Sequence, residues 1–246
     1  MQTDHESLIP EKFKVLSGSW LKLIAVVTMV IDHVAFVLLK DSTIILLQVG
    51  EKSLKLYTLM RLIGRLAFPI YAFLLVEGFL YTKDRRKYGW RLFLFALISE
   101  IPWNLEHAGT WRYSSQNVFF TLFLGFLGLC VIESFMKAEG RKRIVFAGFL
   151  AGLLIVSVIL KADYGCSGFG FILMMYLMRS APVYRAVIGS CFLSSRWKAG
   201  LAFIPIALYN GKRGFIKGRF TKVLFYAIYP AHILLLYWIR AHTIGY

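Results

Sequence analysis

The sequence predicts an all-α fold, a polytopic bundle of transmembrane helices. Hydrophobic residues make up 58% of its 246 residues and charged residues only 17%, whereas an average soluble domain is about half apolar and about a quarter charged. The mean hydropathy is +0.64. A soluble fold of this size could not bury so much apolar surface. In a bilayer this apolar surface does not have to be buried inside the protein, because lipid surrounds the outer face.

The distribution of charge supports the same fold class. The formal net charge is +16, and the basic residues stand in short clusters between apolar runs. This pattern is typical of cytoplasmic loops that face anionic headgroups. It argues against nucleic-acid binding, because no soluble domain is left to carry that function.

Apolar runs divide the chain into candidate spans. Residues 1–19 form a polar N-terminal segment, expected in the cytoplasm, and residues 20–246 form one integral membrane domain. Segment 44–49 is short and apolar and is expected at the membrane interface. The second span is interrupted at Pro69. The predicted spans are 20–39, 56–81, 90–105, 118–136, 144–160, three short runs at 169–178, 183–193 and 199–209, and a final span at 223–240.

The basic clusters give these spans an orientation. If clusters 83–87, 137–143, 179–185 and 212–222 are all cytoplasmic, the chain has nine spans, with its N-terminus inside. The short runs are then short or broken helices packed inside the bundle, which is tolerated where they line a cavity. The alternative merges 183–209 into one span, for eight in total. It buries Arg196 and Lys198 and places the most basic loop outside.

Polar residues inside spans are the main functional signal, because a charge at mid-bilayer costs roughly 2.5–3.5 kcal/mol. Asp32 and His33 lie just past the middle of the first span. As neighbours they point about 100° apart on the helix, so each needs its own partner from another span. A core histidine and a packing carboxylate would be the structural explanation. Within a span, the functional explanation is favoured.

Further polar side chains recur at the same predicted depth. Arg61 and Arg65 are four residues apart and share a helix face, which suggests an anionic partner such as a carboxylate or phosphate. Snorkelling is the structural alternative for Arg61, whereas Arg65 lies too deep for it. The outer halves of the first four spans are predicted to hold His33, Arg61, Arg65, Glu100, Asn104, Gln116 and Asn117.

Two turns add further candidates. Residues 163–168 form a Gly-rich turn at the outer side, without the spacing of a phosphate loop. Residues 209–214 form a basic turn at the inner side, whose amides and cations suit the phosphates of a cytoplasmic cofactor. The positive-inside rule explains those charges about equally well. His232 stands in the last span beside Pro230.

The chemistry of these residues leaves two classes of function open. No H-E-x-x-H or G-x-S-x-G motif is present, and Cys130, Cys166 and Cys191 have no zinc spacing, so no metal site is expected. Buried histidine, carboxylates and arginines suit general-base catalysis with an anion stabiliser. They also suit a proton-coupled transporter, although transporters usually show inverted repeats and none is visible. A non-catalytic scaffold is the third possibility.

A set of motifs, in order along nearly the whole chain, resembles the TraX family. They are Leu21-Lys22 with Met29 and Asp32-His33, Arg61-x-x-x-Arg65-x-x-x-Pro69, Glu77-Gly78, Glu100-Ile101-Pro102-Trp103-Asn104, Gln116-Asn117, Asp163-Tyr164-Gly165, the turn 209–214 and Tyr229-Pro230-x-His232. The family is associated with acetylation of conjugative pilin and looks distantly similar to transmembrane acyltransferases. Those enzymes carry a basic residue eleven positions before a catalytic histidine, as Lys22 and His33 stand here.

The resemblance implies an acyltransferase-like bundle in a bacterial cytoplasmic membrane. Acetyl-CoA would be the acyl donor, and a peptide or envelope glycan the acceptor. It implies His33 as general base, supported by Asp32 and Glu100. Substrate or anion contacts are then expected at Arg61, Arg65, Asn104, Gln116, Asn117, Asp163, Tyr164 and His232. Contacts with CoA are expected at Lys22, Asn210, Lys212, Arg213, Lys217 and Arg219.

Overall fold

The computed structural model describes residues 9–49, 52–193 and 199–243. Within those ranges the chain forms ten α-helices, a two-stranded hairpin and a 3-10 turn at Glu11–Phe13. The elements are α1 (Gly18–Leu38), β1 (Ile45–Val49), β2 (Lys52–Lys55), α2 (Leu56–Gly64), α3 (Ala67–Tyr81), α4 (Arg85–Ala108), α5 (Val118–Lys137), α6 (Gly140–Ile159), α7 (Gly165–Leu177), α8 (Pro182–Phe192), α9 (Phe203–Ala207) and α10 (Arg219–Thr243).

The predicted all-α transmembrane bundle is confirmed. Five segments of the described chain are long and apolar enough to cross a membrane: α1, Leu56–Tyr81, α5, α6 and the greater part of α10. The chain is therefore a multi-pass membrane protein. The predicted third span, 90–105, is longer in the structure, because Asp84 caps α4 by accepting a hydrogen bond from the Lys87 backbone N–H at 2.9 Å. Gly109, at φ +64°, ends that helix.

The second predicted span is broken into α2 and α3. The break lies at Arg65 and Leu66, one turn before Pro69. Proline has no backbone N–H, and its ring clashes with the carbonyl four residues earlier, which is that of Arg65. The interruption expected at Pro69 therefore appears on the N-terminal side of the proline.

The apolar segment 44–49 is a β-strand. β1 pairs antiparallel with β2, with Leu47 opposite Leu54 and Gln48 opposite Ser53. Apolar side chains on this hairpin are half exposed, including Leu47 at 58%. The sequence does not predict a hairpin here, because the apolar run is too short to display strand alternation.

Helices α8 and α9 fold against each other. A Cβ placed on Gly189 would lie 2.2 Å from the Phe203 ring, and one on Gly200 would lie 2.7 Å from Ser190 Oγ. Pro182 and Tyr209, from the two ends of this stretch, line the same cavity of about 140 Å³. In the described part of the chain, the stretch 183–209 therefore contains two short helices, as expected, and is not one continuous helix. Arg196 and Lys198 lie outside the described residues.

The core lies between α1, α3, α5, α7 and α10. Leu21, Phe79, Phe171 and Ile233 are fully buried there. Helix α6 is peripheral by contrast, since Ser157 is its one buried residue within the described chain. A largely exposed apolar helix is what a bilayer allows at the edge of a bundle.

We predict that Gly189→Ala destabilises the protein, whereas Gly152→Ala does not. The added methyl on α8 meets the Phe203 ring, and overpacking typically costs about 1–3 kcal/mol. Nothing lies within 4 Å of the position of a Cβ on Gly152, also inside a helix. Thermal unfolding of both variants in the same nanodiscs measures the difference. Equal shifts in melting temperature would contradict the close packing of α8 on α9.

Candidate functional site

The basic turn is attached to the start of α1. The Gly18 backbone N–H donates to the Lys212 carbonyl at 2.8 Å. Ser19 Oγ donates to the Arg213 carbonyl at 2.9 Å and accepts from the Ile216 backbone N–H at 2.8 Å. Gly214 permits this approach, because its φ is +83° and a Cβ there would lie 2.3 Å from Ser17 Oγ. The charges of the turn are thereby held beside the first span.

A cavity of about 550 Å³ extends along α1 from this turn. At its basic end, the lining includes Lys22, Gly211 and Arg213. At its histidine end, the lining includes Asp32, His33, Asp163 and Tyr164. Lys22 and His33 are eleven residues apart on one helix, which corresponds to about 17 Å. The predicted cofactor turn and the predicted catalytic histidine therefore face one continuous space.

Asp32 finds its partner on α2. Arg61 Nη1 donates to Asp32 Oδ2 at 2.5 Å, and the guanidinium carbon also lies 5.2 Å from the centre of the Phe36 ring. The helices approach closely because residue 64 is glycine. A Cβ there would lie 2.2 Å from Asp32 Cβ. The arginine pair predicts an anionic partner. For Arg61, that partner is the carboxylate of Asp32.

His33 finds its partner on α10. Its Nδ1 lies 2.6 Å from His232 Nε2, and the two rings stack with centroids 4.8 Å apart. The His232 Nδ1 lies 2.7 Å from the Ile228 carbonyl oxygen. Tyr229 packs edge-on against both rings, at centroid distances of 5.9 and 5.8 Å, and also lines the cavity. Asp32 and His33 thus have separate partners on different helices, as their angular separation predicts.

A second polar network lies apart from the cavity lining. Asn117 caps α5 by accepting from the Phe119 N–H at 3.0 Å. Its amide nitrogen donates to Glu100 Oε2 at 2.9 Å. The Gln116 amide, turned so that its nitrogen faces the carboxylate, donates to both Glu100 oxygens at 3.1 and 3.2 Å. The Gln116 carbonyl also accepts from the Asp163 backbone N–H at 2.9 Å, which links this network to the histidine end.

The remaining predicted residues are more dispersed. Asn104 is buried and donates to the Trp111 carbonyl at 2.9 Å, so it holds the loop after α4. Tyr164 stacks on Phe68 with centroids 3.6 Å apart. Asn210 accepts from the Lys212 backbone N–H at 2.9 Å within the turn.

Arg61, Arg65, Lys212 and Lys217 are not among the residues that line the cavity. Among the described residues, the Arg65 side chain makes no hydrogen bond or ion pair. Lys217 is exposed, and Arg219 is the first residue of α10. The seven residues expected at one depth therefore divide between the cavity, the Glu100 network and isolated positions.

Sequence reasoning missed a buried acidic residue at the end of α4. The Glu106 side chain is fully buried, and its Oε2 lies 2.5 Å from His107 Nδ1. The His107 ring packs on Trp103 with centroids 3.8 Å apart. Glu106 and His107 fall outside the predicted span because the apolar run ends at Leu105, while the helix continues to Ala108. Tyr229 is part of the motif Tyr229-Pro230-x-His232 but is not among the predicted site residues.

Comparison with known proteins agrees with the resemblance. The sequence model of the TraX protein family matches residues 17–240. The chain belongs to the TraX family. This TraX family member is 29% identical over 250 residues to the probable fimbrial assembly protein FimC, serogroup H1, of Dichelobacter nodosus, in an alignment that covers 89% of this chain and 94% of that protein. No solved structure matches the chain.

We predict that Asp32 and Arg61 are energetically coupled. In a double-mutant cycle of Asp32→Asn and Arg61→Met, the coupling free energy should be about 0.5–3 kcal/mol, because contacting residues are not additive. The cycle is measured from unfolding free energies in mixed micelles. Arg65→Met is the matched control, one turn further on. Its effect should add to that of Asp32→Asn within about 0.5 kcal/mol. Equal coupling for both arginines would argue against the pairing.

Proposed function

We propose that this TraX family member is an acyltransferase of the bacterial cytoplasmic membrane. It moves an acyl group, acetyl in the first instance, from cytoplasmic acyl-CoA to an amine or hydroxyl acceptor on a peptide or envelope glycan. The observation that carries the proposal is the single cavity with Lys22, Gly211 and Arg213 at one end and His33 at the other. A donor with an anionic head and a long arm ending in a thioester has the chemistry to use both ends.

The basic end suits the phosphates of the donor. Lys22 and Arg213 supply positive charge to the lining, and Gly211 presents backbone without a side chain. The bonds from Gly18 and Ser19 hold the turn in place before any ligand arrives, so less conformational entropy is lost on binding. Asn210 and Lys212 belong to the same turn and extend the basic surface.

His33 is the proposed general base. Its Nε2 takes the proton from the acceptor as the acceptor nitrogen or oxygen bonds to the acyl carbon. It returns that proton to sulfur as the carbon–sulfur bond breaks. The Tyr229 ring, which carries a hydroxyl, packs against both histidines. We assign it to the oxyanion, because hydroxyl donors aimed at developing charge stabilise the transition state.

The acidic residues of the cavity are proposed to position the acceptor. Asp163 and Tyr164 line the histidine end, while Asp32 is neutralised by Arg61. The Glu100 network acts indirectly, since Gln116 holds the Asp163 backbone. The FimC relative is named for fimbrial assembly. A peptide amine is accordingly the acceptor class to test first, with a glycan hydroxyl second.

We predict that His33→Ala strongly lowers the rate of acyl transfer but leaves donor binding intact. Loss of a general base typically costs about 10²–10⁴-fold in rate. Radiolabelled acetyl-CoA is incubated with the purified protein in nanodiscs, alone and with peptide amines or glycans, and binding and turnover are measured separately. Arg213→Ala should raise KM for acetyl-CoA about tenfold, since a hydrogen bond to a charged group contributes about 1.5–3 kcal/mol.

Lys142→Ala is the charge-matched control, because Lys142 is exposed in another basic cluster. It should leave both kcat and KM unchanged. Unimpaired transfer by His33→Ala would overturn the assignment of the base. A chain that binds no acetyl-CoA, yet couples proton movement to uptake of a solute into proteoliposomes, would be a transporter instead.

A further inference from the structure

We propose that His232 is a positioning residue that holds His33 in the tautomer required of a general base. The inference rests on the proposed function for its kinetic consequence, but its structural part stands independently. The two rings come from opposite ends of the chain, on α1 and α10, and meet at 2.6 Å between His33 Nδ1 and His232 Nε2. Two ring nitrogens at that distance share one proton, so one of them donates and the other accepts.

The Ile228 carbonyl decides the direction of this hydrogen bond. A carbonyl oxygen only accepts, and it lies 2.7 Å from His232 Nδ1. His232 Nδ1 therefore carries a proton. A neutral imidazole carries one proton, so His232 Nε2 has a lone pair and accepts from His33 Nδ1–H. Neutral His33 also carries one proton, which is on Nδ1, so its Nε2 is unprotonated. That Nε2 has no hydrogen-bond partner among the described residues.

The neutral state of His232 follows from its surroundings. The described contacts of its ring are His33, the Ile228 carbonyl and the Tyr229 ring, none of which is a carboxylate. A buried cation without an anionic partner is costly. A protonated His232 would donate to His33 Nδ1 and force the His33 proton onto Nε2, which would remove the base.

Local helix geometry makes the arrangement possible. Helical side chains lean towards the N-terminus, so the ring of residue 232 reaches the carbonyl four residues earlier on the same face. His242 makes the same contact on the same helix, at 2.8 Å from the Trp238 carbonyl. What distinguishes His232 is the second contact to His33, which exists because α10 packs against α1.

The arrangement has a defined role during transfer. When His33 Nε2 takes the acceptor proton, the ring becomes a cation whose Nδ1–H still donates to His232 Nε2. The bond to His232 is then charge-assisted and stronger. His33 releases the Nε2 proton to sulfur and returns to its starting tautomer. His232 keeps its own proton on Nδ1 throughout, so it orients and stabilises without exchanging atoms with the substrate.

Three variants of α10 test the proposal kinetically. His232→Gln retains an oxygen that accepts from His33 Nδ1–H, whereas His232→Phe keeps a ring but cannot accept. We expect His232→Phe to lower kcat about 10²-fold with little change in KM for acetyl-CoA, and His232→Gln to recover most of that loss. His242→Phe is the matched control and should leave kcat unchanged. Equal loss in His232→Gln and His232→Phe would overturn the acceptor role.

A spectroscopic experiment tests the tautomer without relying on activity. Solid-state NMR of ¹⁵N-histidine-labelled protein in bilayers distinguishes protonated from unprotonated ring nitrogens, and single substitutions assign the signals of the five histidines. His33 should be protonated on Nδ1 and unprotonated on Nε2, and His232→Phe should remove that preference. His33 protonated on Nε2 would refute the proposal even in an active enzyme. The expected tautomer in a protein without transferase activity would refute only the proposed function.

Discussion

The ion pair between Asp32 and Arg61 is the interaction on which the site depends. A charged side chain in the bilayer interior costs a few kcal/mol, so each of these two residues requires the other. Their 2.5 Å contact fixes how α1 is rotated against α2, and Gly64 allows the necessary approach. Because successive helical residues point about 100° apart, this rotation turns His33 away from α2 and towards α10. The position of the proposed base is thus a consequence of neutralising its neighbour.

The bundle contains several irregular helices, and each irregularity has a local cause. Pro69 breaks the second span before α3, and α8 and α9 are too short to cross a hydrocarbon core of about 30 Å. Such backbone is tolerated at membrane depth only where protein or a cavity surrounds it. The basic turn is similarly held by bonds to Gly18 and Ser19. The break between α2 and α3 and the basic turn both contribute to the cavity lining, through Gly64, Ala67, Gly211 and Arg213.

Two sets of polar residues that look alike in the sequence have different surroundings in the structure. Asp32 and His33 line the cavity, with Arg61 and His232 as their respective partners, whereas Glu100 is bound by the Gln116 and Asn117 amides outside the lining. The Glu100 network is still connected to the cavity lining, because the Gln116 carbonyl accepts a hydrogen bond from the backbone of Asp163. A rigid support of this kind keeps the proposed acceptor end of the site ordered. The first set contains residues proposed to contact a substrate, and the second set supports the backbone that carries them.

The sequence by itself determined the membrane environment, the helical class, the family and the ionisable residues at Asp32, His33 and Arg61, because hydropathy and residue type are properties of short stretches of chain. It also required that Asp32 and His33 have separate partners. Only the tertiary structure decided which partners these are, that His232 lies against His33, that Glu100 belongs to another network, and that Glu106 is buried. Those outcomes depend on which helices are adjacent and how each is rotated. Packing between segments far apart in the chain sets both, and no local pattern records it.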